Sequence, residues 1–226
     1  MLRSQFENDL QKLHSQFYTM GQMVSDAIYN WYKAFINHDK LLAQEVIDQD
    51  HIINEMEIKL ERKSFEMIAL QQPVTTDLRM IVTILRASSD LERLGDQAVA
   101  IAKATIRVKG NKRMPNVEDE LSQMSKAAIK MVNEVLTAYV ETDYKRAREI
   151  AFEDEQINAY YKDINTHTVA LMKEDPETIV SGTDYLQVAG YLERIGDYVT
   201  NICEWIVYLE TGKITELNKD NSDEQY

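Results

Sequence analysis

An all-α fold, built as two tandem antiparallel three-helix bundles, follows from three features of this chain. Only seven Gly and three Pro occur in 226 residues, too few turn residues for anything but long helices joined by few loops. Apolar residues recur at three- and four-residue spacing along most of the sequence, the period of one helix face. And the pattern Glu-Arg-Leu/Ile-Gly-Asp occurs twice, as Glu92-Arg93-Leu94-Gly95-Asp96 and Glu193-Arg194-Ile195-Gly196-Asp197, which marks an internal duplication.

The elements follow in order. Phe17, Met20, Val24, Ile28, Trp31 and Phe35 form the apolar stripe of a first helix near 5–37. Asp39, following Asn37-His38, is a suitable N-cap for a second helix over 39–71, which Gln71-Gln72-Pro73 ends. A third helix over 74–109 carries Ile81, Ile84, Leu85, Leu91, Leu94, Ala98 and Ile101 and stops at Gly110. The second half replays the first. Leu121, Met124, Ala128, Met131, Val132, Val135 and Tyr139 place a helix over 117–141, and Asp143 caps another over 143–173. Pro176 breaks the chain, and a sixth helix over 177–211 carries Leu192, Ile195, Val199, Ile202 and Ile206 towards Gly212. Asp39 and Asp143, Asp50 and Asp154, Asn54 and Asn158 all stand 104 apart, while the two signatures stand 101 apart. The length difference therefore falls near the second connection, where loops absorb it. These periods divide the chain into repeats at 1–112 and 113–212 and a polar tail at 213–226.

Composition narrows the function. A net charge of −13 argues against nucleic acid, whose binding rests on Lys and Arg at phosphates, and against adhesion to an anionic membrane surface. The single Cys203 excludes an internal disulfide framework. The N-terminal residues lack the apolar segment of a signal peptide, and no apolar run approaches 18 residues; the expectation is a cytoplasmic protein. No Gly-rich phosphate loop, Gly-x-Ser-x-Gly elbow or His-Glu-x-x-His occurs, so no catalytic or organic-cofactor residues are assigned.

The repeated acids carry what chemistry there is. Glu92 and Asp96, like Glu193 and Asp197, are four apart and stack on one helix face at the edge of the core stripe. Gly95 and Gly196 cost helix propensity, about 1 kcal/mol relative to Ala, and permit a neighbouring helix to come close. On that neighbour, Asp50 with Asn54 and Asp154 with Asn158 are also four apart. Each bundle thus offers hard oxygen ligands, suited to Mg, Ca, Mn or non-haem iron rather than zinc. The plainer alternative is ordinary ion pairing with Arg93 and Arg194. A second alternative class, a carboxylate-metal protein such as a ferritin-like metal store or oxidase, wants a Glu-x-x-His pair. No Glu here precedes a His at that spacing; His14, His38, His51 and His167 share no pattern.

Over about residues 5–212 the chain resembles the PhoU family of bacterial phosphate-signalling regulators. The likeness rests on Asp77-Leu78-Arg79, Leu85-Arg86, Asp90-Leu91-Glu92-Arg93-Leu94-Gly95-Asp96-Gln97-Ala98 and Tyr191-Leu192-Glu193-Arg194-Ile195-Gly196-Asp197-Tyr198-Val199-Thr200-Asn201-Ile202, set in two three-helix repeats. The resemblance implies a non-enzymatic repressor of the phosphate-starvation response, an adaptor between the phosphate ABC transporter ATPase and a sensor histidine kinase, often a homodimer. It also implies iron-type or other divalent metal ions held by Glu/Asp-x-x-x-Asp pairs on two helices of each repeat. Glu92 with Asp96 and Glu193 with Asp197 match that motif. Asp50-x-x-x-Asn54 and Asp154-x-x-x-Asn158 depart from it, each Asn keeping a carbonyl oxygen while removing one negative charge. Ala100 stands where the second copy has Asn201.

Overall fold

The computed structural model describes residues 2–108 and 110–217, with only the backbone of residues 2 and 3. Among these residues there are six α-helices and no strand. They are α1 (Leu2–Asn37), α2 (Lys40–Gln71), α3 (Thr75–Val108), α4 (Pro115–Glu141), α5 (Tyr144–Glu174) and α6 (Ile179–Thr211), with a short 3-10 turn at Pro176–Thr178. The expected tandem bundles are present, α1–α2–α3 and α4–α5–α6. The polar tail expected from 213 extends beyond the described residues at 218.

The punctuation works as its chemistry dictates. Asp39 accepts from the amides of Leu41 and Leu42, and Asp143 from those of Lys145 and Arg146, so each satisfies amides that the first turn leaves unpaired. The residues just before them, His38 and Thr142, both take a positive φ, the same tight reversal in each repeat. Pro115 opens α4, two residues earlier than expected, because a first-turn proline forfeits no hydrogen bond. After Asp175, Pro176 begins a single 3-10 turn before α6 proper, a local detail that the apolar period does not reveal.

Burial repeats with the 104-residue offset. Leu13 and Val117, Met20 and Met124, Val24 and Ala128, Ile28 and Val132, and Phe35 and Tyr139 are paired positions, all buried. The two bundles then join along two seams. Across α3 and α6, Asn201 Nδ2 donates to Asp90 Oδ1 at 3.3 Å, Thr83 donates to the Trp205 carbonyl at 3.3 Å, and Arg107 donates to Asp184 at 2.8 Å. Across α1 and α4, Ser25 donates to Asn133 at 2.7 Å and Tyr139 meets His14 Nδ1 at 2.9 Å. Both pairings run antiparallel.

Candidate metal centre

The signature of each repeat lies on its third helix, α3 or α6. Leu91, Leu94 and Ala98 are fully buried on α3, as are Leu192, Ile195 and Val199 on α6. This turns Glu92 and Glu193 to the edge of the core, partly buried, and Asp96 and Asp197 further out. The facing helix supplies its pair at the same level. In the first repeat Asn54 Nδ2 donates to Asp50 Oδ2 at 3.1 Å, and in the second Asn158 donates to Asp154 at 2.9 Å.

The two glycines behave differently. A methyl group on Gly196 would run into the Asp154 carboxylate, which is 1% exposed; only glycine allows that carboxylate to lie on α6. A methyl on Gly95 would meet Ile53 at 3.4 Å and Asp50 Oδ1 at 3.6 Å, ordinary contact. The first seam tolerates a side chain where the second does not.

Electrostatics gather the acids. Burial raises the Asp50 carboxyl above its usual range, the charge of Asp96 raises it further, and Asn54's hydrogen bond pulls it back. Burial also raises Glu92, helped by Asp96, Glu57 and Asp50. Burial raises Glu193, with Asp197 adding to it, and raises Asp197 itself. Arg194 pulls both down only through space, as Arg93 does Glu92. Arg93 instead lies over the Tyr198 ring, 5.7 Å from its centre. Glu57 is an addition that the repeat comparison passed over: its counterpart is Tyr161, so matching positions hide it. It lies seven residues after Asp50 on α2, hence on the same face. Asn201 reaches across the seam to Asp90 rather than serving its own repeat.

Among the described residues no three His, Cys, Asp or Glu side chains converge closely enough to share a metal ion. The donor chemistry nevertheless fits a hard cation in the first repeat. Asp50 Oδ1 and Asn54 Oδ1 are both buried without a hydrogen-bond partner, an arrangement that costs free energy unless a cation or water completes it.

A family model for the PhoU domain matches residues 17–105 and again 121–206. The chain belongs to the PhoU family. Phosphate-specific transport system accessory protein PhoU homologues from Streptococcus pneumoniae and Clostridium acetobutylicum are 39% and 41% identical, over 96% of this chain and 100% of their own lengths. The accessory protein PhoU of Escherichia coli is 32% identical over 94% of this chain and 88% of its own. The crystal structure of the phosphate transport system regulatory protein PhoU from Streptococcus pneumoniae superposes with a TM-score of 0.88 at 38% identity, covering 94% of this chain and 100% of that one. PhoU from Pseudomonas aeruginosa gives 0.88 at 32% identity, over 92% and 100%. The first PhoU domain match encloses Glu92 and Asp96, the second Glu193 and Asp197.

Proposed function

We propose that this chain is a negative regulator of phosphate uptake and of the phosphate-starvation response, an adaptor between a phosphate ABC transporter ATPase and a membrane sensor kinase. The observation that carries this reading is the pair of PhoU domains, in a chain that matches 88–100% of the length of relatives named accessory proteins of phosphate transport. No described helix is long and apolar enough to cross a membrane, in keeping with a role on the cytoplasmic side. An acidic body of long helices offers charged faces to basic patches on its partners, and such complementarity sets specificity and encounter rate. On this reading the protein works as a homodimer and performs no chemistry of its own. Deleting the gene tests it: phosphate uptake and starvation genes should rise in phosphate-rich medium, and unchanged levels of both would overturn it.

Metal sites form part of the same reading. Asp50, Asn54, Glu92 and Asp96 would hold one divalent or iron-type ion, and Asp154, Asn158, Glu193 and Asp197 another. The ion would neutralise carboxylates that burial and mutual repulsion already disfavour. Binding to the folded state alone raises stability by mass action. Untagged protein should therefore carry metal by elemental analysis, and Mg, Mn or Fe should raise its melting point, with a chelator reversing the gain. Asp96→Asn and Asp197→Asn should each reduce that gain while keeping the helix. Metal-free protein whose melting ignores every cation would end the metal reading and leave the adaptor intact.

A further inference from the structure

The two repeats differ beside the metal motif, and the difference lies on their second helices. Glu57 and Glu61 of α2 stand seven and eleven residues after Asp50, two and three turns along the same helix face. At the 104-residue offset their counterparts on α5 are Tyr161 and Asn165, both neutral. α2 and α3 are consecutive antiparallel helices, with Gly95 opposite Asp50 and Ile53. Glu92, three residues earlier on α3, is therefore about 4.5 Å further along α2, towards Asn54 and Glu57. The negative charge of Glu57 does reach Glu92. The cations of α2 are engaged elsewhere: Lys59 pairs with Glu55, and Arg62 and Lys63 with Glu66. In the second repeat a methyl on Gly190 would meet the Tyr161 ring at 3.9 Å. An aromatic ring thus lies against α6, one turn before Glu193, at the level where the first repeat has a carboxylate.

The geometry points to Glu57 as a further carboxylate ligand of the first repeat's metal site, so that this repeat takes its cation more tightly than the second and fills first. This rests on the metal reading above, whose two sites it makes unequal. Hard cations are held by carboxylate and carbonyl oxygens, and their affinity is set in large part by how many of those ligands are charged. Asn54 gives up one negative charge relative to a Glu/Asp-x-x-x-Asp pair, and Glu57, one turn further on the same face, restores it. Asn158 gives up the same charge, and Tyr161 restores nothing. Between Glu57 and Asp96 lie the orphan oxygens, Asp50 Oδ1 and Asn54 Oδ1, buried without a hydrogen-bond partner. The second repeat's carboxylate is also less available. Asp154 is 1% exposed, accepts from Asn158 and packs on Gly196, whereas Asp50 is partly exposed. A cation reaching Asp154 has to draw it off α6.

The test is a titration of chelator-treated full-length protein with Mn²⁺, the free ion being read from its EPR signal. Wild type should show a tight and a weak class of site, separated by about tenfold or more. Glu57→Gln should weaken the tight class by about tenfold or more, the loss typical when a group supporting a metal site is removed. The same substitution should leave the weak class alone. Asp197→Asn should remove the weak class only, and Tyr161→Glu should strengthen it. In chelator, Glu57→Gln should hold or raise the melting point, because Glu57 is partly exposed and repels Glu61 and Glu92. A lower melting point there would mark a structural residue and overturn the assignment. So would two equal sites, a tight class that survives Glu57→Gln, or a tight class lost to Asp197→Asn; each of these leaves the metal reading standing. Protein that binds no Mn²⁺ in any form would overturn both.

Discussion

At the scale of single residues, the two copies of one motif are held to different standards. Gly196 is required because the buried Asp154 carboxylate occupies the space a methyl group would take, and that carboxylate is also tied to Asn158. Gly95 faces Ile53 and Asp50 at ordinary contact distance. Gly196→Ala should therefore destabilise the protein by about 1–3 kcal/mol, the usual range for overpacking a well-filled core. Gly95→Ala should be neutral or stabilising by up to about 1 kcal/mol through helix propensity. Urea unfolding of both variants checks this, and equal losses would contradict the asymmetry. The sequence shows that both glycines sit in one pattern, but not this difference, which depends on how far a neighbouring carboxylate leans across. Glu57 shows the opposite case: its spacing from Asp50 made it readable, yet Glu55 and Glu61 crowd the same helix and nothing in the repeat singles it out.

At the scale of elements, most of the fold was legible because its signals are local. Apolar period, proline and capping aspartate act within a few residues of where they stand, so the helices begin and end close to their expected bounds. The caps also permit a matched test, since Asp39 and Asp143 each hold two first-turn amides. Asp39→Ala and Asp143→Ala should each cost about 1 kcal/mol and lower the melting point by similar amounts. A null result at either position would mean that the reversal at His38 or Thr142 fixes the helix start by itself. What the sequence left unread is how the bundles meet. Gly21 lies against Leu136 of α4 so closely that a methyl there would collide with it, and Asp90 finds Asn201 on α6. Both contacts join residues more than a hundred apart, and neither repeat needs them for its own core.

At the scale of the whole molecule, the α1–α4 seam, where His14 meets Tyr139, predicts a pH dependence of stability. Burial pushes the Tyr139 hydroxyl far up, so it stays protonated, and it shares a hydrogen bond with His14 Nδ1, with the rings stacked 4.9 Å apart. Burial lowers the His14 imidazole below its ordinary value near 6.5, favouring the neutral ring. A base lowered by folding binds fewer protons in the native state than in the unfolded one. Its contribution is therefore complete above the unfolded value and is lost as pH falls through about 6.5 towards the lower native one. Acids such as Glu92 and Glu193, which burial raises, act in the opposite sense, so the net profile of the protein does not isolate the histidine. The difference between wild type and His14→Gln does. Gln keeps a side-chain acceptor for Tyr139 but cannot gain a proton, so the stability advantage of wild type should shrink on acidification from pH 7.5 to 5.5. The slope should be a fraction of about 1.4 kcal/mol per pH unit, the limit for one proton, because His14 is only partly buried. Denaturant unfolding across that range provides the measurement, and parallel pH profiles for the two proteins would show that the seam does not sense the proton.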